Sequence, residues 1–212
     1  MSKIIVFSNQ KGGCAKTTTA IHLACYIASV QKKVHFVDAD PQHSAATWLQ
    51  LMKSPIPVSQ LSDANELIEQ IPELAQTTDF LVVDGAAGNS ESSRAILFTA
   101  DVAIVPVQPT GLDLHSALEA FRLVRQAQKI RGGLPKAAVF LSRAQKGTRL
   151  RSQALSALSQ IPDVILLKTV IHQKQAIADC FTQGAVVWDM SGASDSAKEF
   201  DALCKEIIGL PT

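Results

Sequence analysis

Short runs of consecutive apolar residues recur along the chain, and between them apolar positions return every three or four residues. The runs are Ile4 to Ser8, Val34 to Val37, Phe80 to Val83, Val102 to Val107, Ala137 to Leu141 and Val164 to Leu167. Unbroken hydrophobicity of that length suits strands buried on both faces. Helical spacing covers Ala20 to Val30, about Asp113 to Lys129, Leu150 to Ser159, Gln173 to Phe181 and Asp195 to Ile208. In the second of these Leu114, Leu118, Phe121 and Val124 are expected to share one face. Strands alternating with helices predict an α/β fold, a mostly parallel, doubly wound sheet with helices on both faces. The chain has 212 residues, 47% of them hydrophobic, and no linker, repeat or low-complexity tract. One domain over residues 1–212 with a single buried core is the expectation.

The first strand runs into Lys11-Gly12-Gly13-Cys14-Ala15-Lys16-Thr17-Thr18 and then into a helix. A glycine-bearing loop between a buried strand and a helix start lets several backbone N–H groups face one anion, with the helix dipole behind them. Lys16 would reach the β- and γ-phosphates of a nucleotide, and the Thr17 hydroxyl would hold Mg²⁺. A ligand-free Gly-Gly turn is the competing reading; the order strand, loop, Lys-Thr, helix argues against it. Two further acidic segments end strands. Val34 to Val37 leads to Asp38-Ala39-Asp40-Pro41-Gln42, and Phe80 to Val83 leads to Asp84-Gly85-Ala86-Ala87-Gly88. Ligands of doubly wound sheets bind outside the carboxyl ends of such strands.

The loop lacks the ordinary phosphate-loop glycines, with Gln10 and Ala15 in their places, and opens on a second lysine. In that form it resembles the deviant Walker A box, K-G-G-x-x-K-[ST], of the ParA/MinD family of dimeric positioning ATPases. Asp38 to Gln42 resembles the family's D-x-D-P-Q box, and Phe80 to Asp84 its Walker B strand. The resemblance implies a P-loop NTPase that binds ATP and Mg²⁺ through Lys11, Gly12, Gly13, Cys14, Ala15, Lys16, Thr17 and Thr18. Lys11, Lys16 and Asp40 would be catalytic. Lys11 would cross to the nucleotide of a second subunit in an ATP sandwich homodimer, and Asp40 would position the attacking water. Thr17, Asp38 and Asp84 would form the metal shell, with binding of the P-loop lysine as the other role for Asp38. Ala15 is expected to sit in a helical backbone, and the small residues Gly85 to Gly88 to act as a switch loop.

Net charge is only +1, but it is unevenly spread. Between Arg122 and Lys174 eleven basic residues face a single acid, Asp163, so the rest of the chain is negative. Such asymmetry suggests a polyanionic partner, and duplex phosphates are held this way without base reading. The family resemblance implies the same partner, nonspecific double-stranded DNA, with Arg149, Arg151 and Lys174 as the contacts named here. It also implies a ParB-like or cargo-adaptor protein that stimulates hydrolysis and marks a plasmid, a chromosome origin or a protein compartment such as a carboxysome.

Other classes fit less well. A MinD-like protein that binds the membrane surface needs a basic amphipathic tail, whereas Lys198 to Ile208 mixes acids with lysines. An iron–sulfur carrier needs clustered cysteines, and Cys14, Cys25, Cys180 and Cys204 show no such spacing. An amidoligase-type enzyme would use the same phosphate loop on a small carboxylate substrate. Unpaired cysteines, a strand that begins by Lys3 with no room for a leader or a DNA-reading domain, and no apolar run near the roughly 18 residues of a membrane span predict a cytoplasmic, nucleoid-associated protein. His22, His35 and His43 read as packing or surface groups, and Trp48 and Trp188 as anchors.

Overall fold

The computed structural model describes residues 2–88 and 91–212. Seven parallel strands form one sheet in the order β3-β2-β4-β1-β5-β6-β7. They are β1 (Lys3–Phe7), β2 (Val34–Ala39), β3 (Val58–Gln60), β4 (Phe80–Gly85), β5 (Val102–Val107), β6 (Lys136–Leu141) and β7 (Val164–Leu166). The helices are α1 (Lys16–Ser29), α2 (Ser44–Leu51), α3 (Ala64–Ala75), α4 (Glu91–Thr99), α5 (Gly111–Ile130), α6 (Arg149–Ser159), α7 (Gln175–Asp179) and α8 (Ser194–Ile208).

Alternate residues of each strand feed opposite layers. Ile5, Phe7, Phe36, Val82, Ile104 and Phe140 pack with α1, α2 and α8, while Ile4, Val6, Val37, Leu81, Val83 and Val105 pack with α3 to α6. Both faces are therefore covered, and the central strands need no polar side. β1 lies between β4 and β5, and the chain leaves it toward β2 on one side and β6 and β7 on the other. Loops after β1 and β4 thus meet at a topological switch point.

The expected strands are all present within a residue or two. Four elements lie outside the sequence reading, namely α2, β3, α3 and α4. Helix α1 starts at Lys16 rather than Ala20, because its first turn is the polar Lys-Thr-Thr-Thr of the loop motif. Leu118 does not join the apolar face of α5. It is 48% exposed, while Phe121 and Val124 are buried and Leu114 is half-buried.

Candidate nucleotide site

The loop from Ser8 to Ala15 carries the chain from β1 to α1. Gly13 has φ 75, and Ala15, the residue before α1, has φ 79 and ψ 28. Ala15 is thus left-handed rather than helical, which corrects the expectation for it. A Cβ at that position is strained, and the glycine of ordinary phosphate loops avoids the strain. Helix α1 has no capping side chain and no acid in its first turn. The N–H groups at its start are left for an anion. Lys16 is buried, with Nζ donating to the Lys11 carbonyl at 3.2 Å and lying 4.0 Å from the Cys14 sulfur.

Neighbouring elements brace this loop. Asn9 is buried; its amide donates to the Pro106 carbonyl at 2.8 Å, and its oxygen accepts from the Lys11 N–H at 3.1 Å and the Ser116 hydroxyl at 2.9 Å. Gly88 N–H donates to the Gln10 carbonyl at 2.8 Å, linking the loop after β4 to the loop after β1. Gly85, expected to be part of a mobile segment, belongs to β4. A Cβ there would come within 2.6 Å of the Phe7 carbonyl oxygen and the Ile96 side chain, so this glycine serves packing. Gly88, at φ 97, is the conformationally required one. Of the two residues between them, Ala86 is buried and Ala87 lines the cavity.

Parallel register sets Asp38 of β2 directly beside Asp84 of β4. Their environments differ. Asp38 accepts the backbone N–H groups of Asp40 at 3.2 Å and Ala46 at 2.8 Å, tying β2 to the start of α2. Burial raises its pKa, and those two bonds oppose the rise. Asp84 is buried with no donor in hydrogen-bond geometry at either oxygen. Burial pushes its pKa up to about 7, opposed by the Thr17 hydroxyl and Lys16 and reinforced by Asp38 and Asp40. An orphaned buried carboxylate next to a threonine hydroxyl is a hard oxygen donor set that fits Mg²⁺. Asp40, half-buried, lines the cavity and accepts the Gln42 N–H at 3.0 Å.

That cavity holds about 720 Å³. Gly12, Gly13 and Ala15 to Thr18 form its floor, and Asp40 and Arg143 stand on its walls. Its far wall, Ile171 to Gln175 with Phe200, belongs to α8 and the segment that leads into α7. Lys174 is in this wall, bound to Asp195 at 3.3 Å and Glu199 at 3.8 Å. Arg149 is exposed at the start of α6, and Arg151 is half-buried with its Nε shielded and unpartnered. The three residues named for DNA therefore do not share one environment. Among the other basic residues Arg122 pairs with Glu119 at 2.7 Å, and Arg131 bonds the Ala100 carbonyl.

Lys11 lies beside the loop with Nζ 2.7 Å from Asp113 Oδ2. Asp113 is buried in the first turn of α5 and also accepts the Thr110 hydroxyl. Asp113, Asn9, Ser142 and Arg143 were not singled out as site residues, and no spacing signal marks them. The Cys14 thiol donates to the Lys11 carbonyl, and burial raises its pKa, so it is no reactive thiolate. His22 is a packing group: its ring lies 4.1 Å from Phe200 in a stacked arrangement, with Nδ1 2.6 Å from the Thr18 carbonyl and Nε2 accepting the Val187 N–H at 3.1 Å.

A family model described as an AAA domain matches residues 2–61. The maintenance of carboxysome distribution protein A of Halothiobacillus neapolitanus is 24% identical over 210 residues, 96% of this chain and 95% of that protein. The chromosome-partitioning ATPase Soj of Treponema pallidum is 25% identical over an alignment of 251 residues, covering 98% of each. Among solved structures, the septum site-determining protein MinD of Pyrococcus horikoshii, complexed with Mg-ADP, superposes with a TM-score of 0.78 at 20% identity. It covers 99% of this chain and 97% of that one.

Proposed function

This chain belongs to the ParA/MinD family of ATPases, and from that premise we propose that it is a ParA-type enzyme that positions or segregates a cargo by a cycle of ATP-dependent dimerisation, DNA binding and hydrolysis. The observation that carries this reading is the meeting of Lys16, Thr17 and the orphaned Asp84 under a cavity of nucleotide size, with the second lysine, Lys11, at the same loop.

The residues divide the work as follows. The α1 N-terminus and Lys16 bind the phosphates. Thr17 and Asp84, with Asp38 behind them, would hold Mg²⁺, which screens phosphate charge and orients the terminal phosphoryl group. Asp40, free on one oxygen, orients the attacking water. Lys11, released from Asp113, crosses to the partner's nucleotide and stabilises the charge of the transition state as an arginine finger does. The Walker B acid and the P-loop are thereby linked through Gly88 and Gln10, so the loop after β4 senses the state of the nucleotide.

Chromosome, plasmid and carboxysome cargo all suit this design, and a ParB-like or adaptor protein would stimulate hydrolysis. A dimer doubles the basic surface, which favours DNA as the track and a nucleoid location. Membrane attachment through α8 is disfavoured because Phe200, Leu203, Cys204 and Ile207 are buried against the sheet. Among the described residues no helix is long and apolar enough to cross a membrane.

The test is binding to a random-sequence duplex with ATP, ADP or no nucleotide across a salt titration. Binding confined to ATP and falling steeply with salt is expected, and Arg149→Ala with Arg151→Ala should flatten the salt slope by about 0.9 per lost phosphate contact. Absence of binding in every state would remove DNA from the cycle.

A further inference from the structure

One cation in the nucleotide cavity is not used by the cycle above. Arg143 follows the end of β6, is exposed to the cavity, and has φ 51, a left-handed backbone that side-chain-bearing residues seldom adopt. Its guanidinium donates to the Gly13 carbonyl at 3.1 Å. The same carbonyl accepts the Gln108 amide at 2.9 Å, and the next one, of Cys14, accepts the Ser142 hydroxyl at 2.8 Å. Three side chains from the ends of β5 and β6 thus hold two successive carbonyls of the phosphate loop. In a trans peptide the following N–H points opposite to the carbonyl, so the brace also sets the direction of the Cys14 and Ala15 N–H groups.

The charge of Arg143, like that of Lys16, is not neutralised by an ion pair among the described residues of this cavity. Lys174 on the far wall is neutralised by Asp195 and Glu199, whereas Arg143 has no acidic partner among the described residues. A guanidinium carries five N–H donors, and the Gly13 bond occupies one.

We propose that Arg143 is a positioning residue of the nucleotide site, holding the phosphate loop through Gly13 and setting its unneutralised charge against the nucleotide phosphates. This rests on the nucleotide reading above. It moves Arg143 out of the basic stretch that sequence assigns to DNA.

The experiment is calorimetric titration of Mg-ADP into the wild type, Arg143→Ala, Arg143→Lys and Gln108→Ala, with steady-state ATPase kinetics and duplex binding at saturating ATP. Arg143→Ala is expected to weaken ADP by about ten- to a hundredfold and raise KM in proportion, with kcat changed far less. Arg143→Lys should recover much of that loss by restoring the charge, and Gln108→Ala should cost less than Arg143→Ala. Wild-type ADP affinity in Arg143→Ala overturns the proposal, as does a loss of duplex binding with ADP affinity unchanged. Equal defects in the Ala and Lys variants with a lowered Tm would reduce the residue to a structural one. A wild type that binds no ADP would instead sink the nucleotide reading itself.

Discussion

Replacing Asp113 by Asn should make the protein dimerise more tightly with nucleotide. In the monomer Lys11 is held at 2.7 Å by a carboxylate that is only 1% exposed, while the lysine itself is 38% exposed. A hydrogen bond between charged groups contributes about 1.5–3 kcal/mol, and partial exposure of Lys11 lowers that to roughly 1–2 kcal/mol. Removing the lysine also leaves a buried anion whose remaining partner is the Thr110 hydroxyl, which keeps the cost at the upper end of that range. A symmetric sandwich must free two lysines, so the latch opposes dimerisation by about 2–4 kcal/mol, or roughly 30- to 1,000-fold in the dimer dissociation constant. Asn preserves the shape and the Thr110 contact but surrenders the charge. Sedimentation equilibrium with a non-hydrolysable ATP analogue measures the effect directly. The double variant Lys11→Ala, Asp113→Asn should lose the gain, since the freed lysine is what delivers it. An Asp113→Asn protein with the wild-type melting temperature and an unchanged or weaker dimer would refute the latch.

Three other outcomes follow from buried or strained groups. Asp84→Asn should abolish Mg²⁺-dependent hydrolysis yet stabilise the nucleotide-free fold at pH 8 by about 2–4 kcal/mol, because an orphaned buried carboxylate is removed; an unchanged Tm would contradict the burial argument. Ala15→Gly should add about 1 kcal/mol of stability by relieving the left-handed backbone, read as a shift in the urea midpoint at constant slope. His22 is held neutral, its pKa lowered by burial to about 4 from 6.5. The unfolded chain takes up the proton first, so stability is full above about pH 6.5 and falls toward pH 4 by about 3 kcal/mol. His22→Gln should flatten that limb, and parallel curves for the two proteins would exclude His22 as its cause.

The strands were legible because burial on both faces leaves an unbroken apolar run, as in Val102 to Val107. The helices between β2 and β5 were not. Helix α3 contributes only Leu67 and Ile71 to the buried set and carries Pro72 inside it, and α4 buries the polar Ser93 and Thr99. In the site, the motif residues Lys16, Thr17 and Asp84 converge because parallel register aligns the strand ends. Arg143, Asp113 and Asn9 were illegible since their roles come from contacts across about a hundred residues of sequence. Basic composition carries no information on place: Lys174 and Arg143 line the cavity wall, a position that charge counting has no means to detect.

The far wall of the nucleotide cavity is supplied by α8 and the segment it holds in place. Glu199 and Glu206 of α8 hold the backbone of His172, Lys168 and Thr169, and Phe200 of the same helix lines the cavity while stacking on His22 in the first turns of α1. Lys3, at the very start of β1, donates to the Ile208 carbonyl beyond them. During synthesis, then, the phosphate loop leaves the ribosome well before α8, and the pocket behind it is closed only when α8 arrives. A nascent chain that has not yet reached α8 carries every recognisable motif without a finished site, so competence to bind nucleotide comes only with that helix.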